Sequence, residues 1–239
     1  MARNGGKFPP TRERTSHESF LPLNSLTQIT SLLESFKGRW RWLQEEIQGQ
    51  EDKDADDTLH LLLENKTSDA KNPIAVGADL GYDQNCKQVV EQVVENFGRI
   101  DILVNNAAEQ HKTTSLDELT EDRLDRVFRN NIFSQFFLCR HALKHMKEGG
   151  TITNTTSVNA YTGNPKVLDY TSTKGAIVSF TRALALQLVQ KGIRVNGVAP
   201  GLAAQPYEIA PSFVFLACDD SRYFTGQVLH PNGGMIVNA

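Results

Sequence analysis

Tyr170 and Lys174 stand four residues apart in DYTSTKGA, and Ser157 stands earlier in NTTSVNAYTGNPKVLDY. On a helix, residues four apart share one face. A Lys ammonium held beside a phenol favours the tyrosinate, so the phenol is expected to exchange a proton nearer neutral pH. Ser157 follows the strand-like GGTITNTTS. From there its hydroxyl can hydrogen-bond the oxygen that gains or loses that proton. Asn131, in FRNNIFSQF, completes the set. This constellation suits interconversion of an alcohol and a carbonyl, with hydride passing to or from a nicotinamide.

Such residues need a scaffold that brings segments distant in sequence to one place. From about residue 73 the chain alternates short apolar runs with helical periods. PIAVGADL, RIDILVNNA, GTITNTTS, IRVNGVAPG and GQVLHPNGG read as strands. Between them, NCKQVVEQVVENFG carries Val89, Val90, Val93, Val94 and Phe97 on one stripe and stops at Gly98. Further helices are expected over about 119–147, over 168–191 closed by Gly192, and over PYEIAPSFVFLAC despite Pro211. Strands alternating with helices of this length imply a parallel sheet covered on both faces. The predicted fold is α/β, a Rossmann-like three-layer sandwich.

Before residue 73 the pattern is weaker. Residues 1–25 are polar, with Pro9, Pro10 and Pro22, and are expected to form a disordered tail. Residues 26–239 are expected to form a single domain. Leu32, Leu33, Phe36, Trp40, Leu43 and Ile47 suggest an amphipathic helix over 26–48, interrupted by Gly38. GQEDKDADD reads as a solvated charged turn, and DDTLHLLLEN as a helix start.

The 239 residues suffice for one sizeable core. A net charge of -3 points away from nucleic acid and anionic membranes as partners. No run of eighteen apolar residues suggests a membrane span, and the N-terminus lacks a secretory pattern. Cys86, Cys139 and Cys218 are odd in number and widely spaced, which suggests reduced thiols and a cytoplasmic location. The sequons at Asn65 and Asn154 are then incidental. His141 and His145 lie four apart near Cys139, yet no further ligands accompany them, so no metal site is expected.

In an open α/β sheet the ligand crevice lies beyond the carboxyl ends of the strands. Here those ends carry ADL (78–80), NNAA (105–108), TTS (155–157) and APG (199–201). Small residues such as Ala107, Ala108 and Gly201 are expected to let a flat ligand approach the backbone. Together with Ser157, Tyr170 and Lys174, these segments resemble the short-chain dehydrogenase/reductases, and among them the plant glucose and ribitol dehydrogenase homologues. GGKFPP, GQEDKDADDTL, the stretch from NPIAVGADLG to RVNGVAPG, and QPYEIAPSFVFLAC with GQVLHPNGG carry that resemblance. It implies NADP or NAD as cofactor, a small alcohol or carbonyl substrate and a homo-oligomer, a tetramer or dimer. It also implies Tyr170 as general acid/base, Lys174 as its partner on the ribose hydroxyls, and Ser157 on the substrate oxygen. Asn131 then holds a relay water. Asp79 and Leu80 lie near the adenine, Asn106, Ala107 and Ala108 line the adenosine ribose, and Pro200 and Gly201 flank the nicotinamide.

Two departures from that family are visible. Its TGxxxGxG turn, which brings backbone N–H groups to the pyrophosphate, is missing: none of the 17 glycines forms that spacing before residue 73. The first βα unit is therefore lost or altered. Residues 11–48 resemble the product of a shifted frame or aberrant splicing. Losing two charge-assisted hydrogen bonds, at ~1.5–3 kcal/mol each, weakens nucleotide affinity by roughly two to four orders of magnitude. After Gly201, LAAQPYEIA runs almost directly into a helix, so the substrate lid is essentially deleted. An alternative reading follows: a catalytically dead, non-catalytic subunit or a non-functional variant.

Overall fold

The computed structural model describes residues 51–201 and 206–237. The expected tail, the expected helix over 26–48 and the lid junction at 202–205 lie outside the described residues. Helix α1 (Glu51–Asn65) already begins in the charged stretch expected as a turn. Glu and Lys are good helix formers, and acidic residues suit the first turn of a helix.

Helix α2 (Asp83–Phe97) buries Cys86, Val89, Val90, Val93 and Phe97 as one stripe. It ends at Gly98, whose φ of 87° lets its N–H reach Val94 O. Strand β1 (Ile102–Asn105) leads through helices α3 (Glu121–Phe128) and α4 (Ser134–Ala142) to β2 (Thr151–Thr155). A short helix α5 (Asn159–Thr162) and the long α6 (Leu168–Leu188) precede β3 (Arg194–Val198). Helix α7 (Pro206–Ala217) then leads to the two-residue β4 (Val228–Leu229).

The four strands are parallel in the order β1-β2-β3-β4, with Leu103 opposite Ile152, Ile152 opposite Val195, and Val198 opposite Leu229. One core lies where Leu103, Ile152 and Val195 meet Val89 and Val93 of α2, Leu138 of α4, and Leu184 and Leu188 of α6. The opposite face carries Val198, Val104 and Leu229 against Ile209, Phe213 and Leu216 of α7. Alternate residues of each strand thus feed two cores, which makes a three-layer α/β/α sandwich and accounts for the unbroken burial of β2.

Two expected elements differ. Residues 73–79 carry no regular secondary structure; Ile74, Val76 and Ala78 pack on the first core, yet this run joins no ladder among the described residues. An apolar run becomes a strand only when a neighbour accepts its N–H groups. The helix expected over 119–147 is interrupted by a π-turn at Arg129–Phe133 and ends at Ala142. The chain then turns so that His145 O can accept from Ile100 N.

Candidate active site

The π-turn places Asn131. Such a turn adds a residue to one helical turn and re-aims the side chains around it. Asn131 is fully buried, and its amide is satisfied by protein. Its Oδ1 accepts from Glu109 N at 2.8 Å, and its Nδ2 donates to Glu109 O at 2.9 Å and to Thr173 Oγ1 at 3.1 Å. Asn131 therefore ties the loop after β1 to α6. Thr173 Oγ1 in turn donates to Tyr170 O.

Tyr170 and Lys174 lie in the first two turns of α6. Asp169 fixes this helix start: its Oδ1 accepts from Tyr170 N at 2.9 Å, and its Oδ2 accepts from Arg123 Nε at 2.7 Å. Arg123 also donates to His111 O and Lys112 O, so one guanidinium joins α3, the loop after β1 and α6. Nothing in the spacing of Arg123 and Asp169 announces this pairing. Only the acidic residue beside Tyr170 was a visible signal.

Lys174 is 1% exposed. Its Nζ donates to Thr155 O at 2.9 Å and stands 5.3 Å from the centre of the Tyr170 ring. Thr156 Oγ1 donates to Lys174 O, which seals α6 against the end of β2. Burial lowers the Lys174 pKa from 10.5 to about 7. Tyr170 is 5% exposed, and burial pushes its phenol upward, opposed by the hydrogen bond with the Ser157 hydroxyl. This direction, set by desolvation, is opposite to the one expected from a neighbouring ammonium. Ser157 is buried after β2, and its Oγ also accepts from Asn159 N at 3.2 Å.

Asn106, Ala107 and Ala108 are half-buried beyond β1. Asn106 Oδ1 accepts from Thr155 Oγ1 at 2.9 Å, which connects it to the residue whose carbonyl holds Lys174. Pro200 O accepts from Val158 N, and Gly201 N donates to Pro231 O. A Cβ at Gly201 would lie 2.6 Å from Asn232 Cα. The small residue at 201 is therefore required by the 231–232 turn, where the sequence suggested a ligand.

The expected adenine end is built differently. Asp79 is exposed and its Oδ1 accepts from Gly81 N at 2.9 Å in a tight turn. Leu80 is buried in the first core, so its side chain faces away from the surface. Asp79, Gly81, Tyr82, Arg126, Arg129 and Asn130 line a shallow cleft in which Arg129 stacks over Tyr82. Hydrogen bonds thus link Asn131 through Thr173 to Tyr170 and Ser157, and Lys174 through Thr155 to Asn106; the contact of Lys174 with the Tyr170 ring brings the two sets together, and Asp79 and Leu80 lie outside both.

This donor set suits the nicotinamide-riboside end of a dinucleotide. A protonated Lys174 Nζ carries three N–H donors, of which Thr155 O takes one. Among the described residues the pyrophosphate has no glycine cradle: α2 opens with Asp83 and α6 with Asp169, the wrong charge for phosphate.

Elsewhere, His141 Nε2 lies 2.9 Å from Asp83 Oδ1. Asn154 is buried and bonded to Asn105 and Thr181, which closes its sequon to modification. Cys86, Cys139 and Cys218 form no disulfide. Among the described residues no helix is long and apolar enough to cross a membrane.

Known proteins give the same fold and segments. The family model for the short chain dehydrogenases matches residues 51–208. The NADPH-dependent aldehyde reductase 1, chloroplastic, of Arabidopsis thaliana is 61% identical over 220 residues, covering 81% of this chain and 76% of that protein. The glucose and ribitol dehydrogenase of Daucus carota is 60% identical over 218 residues, covering 80% and 75%. A blue fluorescent protein from a metagenomic library, solved in complex with NADPH, superposes with a TM-score of 0.72 at 27% identity, covering 80% of this chain and 85% of that one. The chain belongs to the short chain dehydrogenase family.

Proposed function

We propose that this chain is an NAD(P)-dependent oxidoreductase that interconverts an alcohol or sugar hydroxyl and a carbonyl through Ser157, Tyr170 and Lys174. One observation carries the reading: a lysine buried at a strand end, bonded to a neutral carbonyl and set over the ring of a buried tyrosine that itself meets a serine hydroxyl. Strongly shifted titratable groups gathered at the carboxyl ends of strands are the arrangement expected of a catalytic site. That convergence favours an enzyme over a non-catalytic subunit. The names of the Arabidopsis and Daucus relatives support the same class and an NADPH or related cofactor.

A bound nicotinamide supplies the hydride for reduction or accepts it in oxidation. Tyr170, kept protonated by burial, gives its hydroxyl proton to the substrate carbonyl oxygen as the carbon gains hydride. Ser157 donates a hydrogen bond to that same oxygen. Lys174, titrating near neutrality, resupplies the proton and binds ribose hydroxyls. Asn106, Ala107, Ala108, Pro200 and Gly201 line the approach, and Asp79 and Leu80 mark the adenine side. A protonated phenol favours carbonyl reduction at neutral pH, and the phenolate formed at alkaline pH favours alcohol oxidation. Assembly through α4 and α6 is supported by the exposed Phe136, stacked on Phe180, and by the exposed Leu186. The cytoplasmic placement rests on cysteines that form no disulfide, whereas the Arabidopsis relative is chloroplastic by name.

The test is NADPH and NADH binding by calorimetry, followed by turnover of short aldehydes. Tyr170→Phe is expected to keep nucleotide affinity and to lose about 10³-fold in kcat. Turnover unaffected by Tyr170→Phe overturns the reading.

A further inference from the structure

Outside the groups that handle the proton lies a buried ion pair, Arg123 with Asp169, that the chemistry above does not use. The Asp169 side chain is fully buried and that of Arg123 is 21% exposed. Taking such a pair out of water is unfavourable unless hydrogen bonds satisfy both ends. Here both ends are satisfied, and the bonds join α3, the loop after β1 and the start of α6.

The start of α6 depends on the pair. The first N–H groups of a helix have no partner within it, and the N-cap side chain commonly accepts from one of them. The N-cap of α6 is Val167, which is buried and carries no side-chain acceptor. Asp169 takes that role from inside the first turn, where its Oδ1 accepts from Tyr170 N at 2.9 Å. Its other oxygen accepts from Arg123 Nε at 2.7 Å. The residue that holds the Tyr170 backbone is thus itself held by Arg123.

Arg123 is fixed in turn. Its two remaining nitrogens donate to His111 O at 2.9 Å and to Lys112 O at 3.4 Å. A guanidinium presents these donors as a rigid fork, which an ammonium on a flexible stem does not reproduce. Thr113 N donates to Lys166 O at 2.8 Å, a second tie between the same loop and the approach to α6. The Tyr170 phenol therefore rides on a helical turn clamped to the loop after β1, whereas the Ser157 hydroxyl it meets comes from the end of β2. Two groups carried by different elements stay aligned only while both elements are held. A misplacement of about 1 Å can lower a rate about 10²-fold.

We infer that Arg123 and Asp169 are positioning residues: the pair sets the place of the Tyr170 phenol against Ser157 and couples it to the loop after β1. For its effect on turnover this rests on the Ser157–Tyr170–Lys174 reading. The loop at 111–113 and the proton donor then move as one unit, joined through a single guanidinium.

The experiment has a spectroscopic arm and a turnover arm on the full chain. Tyrosine is isotope-labelled at Cζ, and the Tyr170 resonance, identified with Tyr170→Phe, reports hydrogen bonding at the phenol oxygen. Arg123→Lys keeps the charge, and Asp169→Asn keeps an acceptor for Tyr170 N. Circular dichroism checks that each folds, and either one alone is sufficient for the test. Each is expected to move the Tyr170 resonance in the direction that Ser157→Ala moves it, and to add nothing in the Ser157→Ala background. In turnover with NADPH and propionaldehyde, each is expected to lower kcat about tenfold and to leave KM within about twofold. A pair that only stabilises the fold lowers the melting temperature and leaves the resonance and kcat unmoved, which overturns the inference. A resonance shift that adds to that of Ser157→Ala overturns it too, because the phenol is then displaced independently of the serine. If Tyr170→Phe leaves turnover intact, the catalytic reading fails, while the resonance still decides whether the pair places the phenol.

Discussion

The ends of β2 and β3 and the turn at 79–82 are built in opposite ways. Around Ser157, Tyr170 and Lys174 the functional side chains are buried and joined by hydrogen bonds that cross between β1, β2, α3 and α6. Around Asp79 the functional side chain is exposed, and its partner is the backbone of the same turn. The proton-handling end is therefore held by tertiary structure among the described residues. The nucleotide end depends on main-chain geometry, and its phosphate cradle is missing from the sequence. Under the proposed function the two halves of the dinucleotide site are therefore held by different means, one by contacts between segments and the other by local turns.

Lys174 gives the largest test of that contrast. Its folded pKa of about 7 lies below the 10.5 of an unfolded lysine. Between those values the unfolded chain binds more protons, so this residue makes stability rise with pH across about 7 to 10.5 and holds it lowest below 7. The difference is on the order of 5 kcal/mol. Lys174→Met is expected to melt at a higher temperature than the parent at pH 6, to lose that advantage by about pH 10, and to be inactive. Calorimetric melts across that range check it. A parent protein whose stability does not change between pH 7 and 10 would contradict the burial of a lysine without an acid.

Asn131→Ala is expected to come next, at about 3 kcal/mol of lost stability in urea unfolding. It leaves the Glu109 N–H, the Glu109 carbonyl and the Thr173 hydroxyl without their partner in a dry environment. A loss below about 1 kcal/mol would mean that the loop after β1 is held by other contacts.

The smallest effect belongs to the other region. Asp79→Ala removes one exposed side-chain acceptor from a tight turn and is expected to change stability by less than about 1 kcal/mol. A destabilisation as large as that of Asn131→Ala would erase the contrast between the two regions.

Several elements are legible in the order of the residues alone. The apolar stripe of α2 and its glycine stop follow from helical period and left-handed capping, which are local properties. The four-residue spacing of Tyr170 and Lys174, and the place of Ser157 after a strand, are likewise local. The interruption at 129–133 is not legible there, because a π-turn differs from an α-turn by packing against neighbours and leaves little mark on composition. The apolar run at 73–79 shows the same limit. Its apolar residues announce burial correctly, but a ladder needs a second strand.

The sequence by itself determined the class of the fold and the family, and pointed to the residues proposed to move a proton, because period, spacing and side-chain chemistry are carried by the residues themselves. Tertiary structure alone decided the direction in which Tyr170 titrates, the neighbour that makes Gly201 necessary, and the pairing of Asp169 with Arg123. Those properties arise from desolvation and from contacts between segments far apart along the chain. Both exist only once the layers have closed on one another.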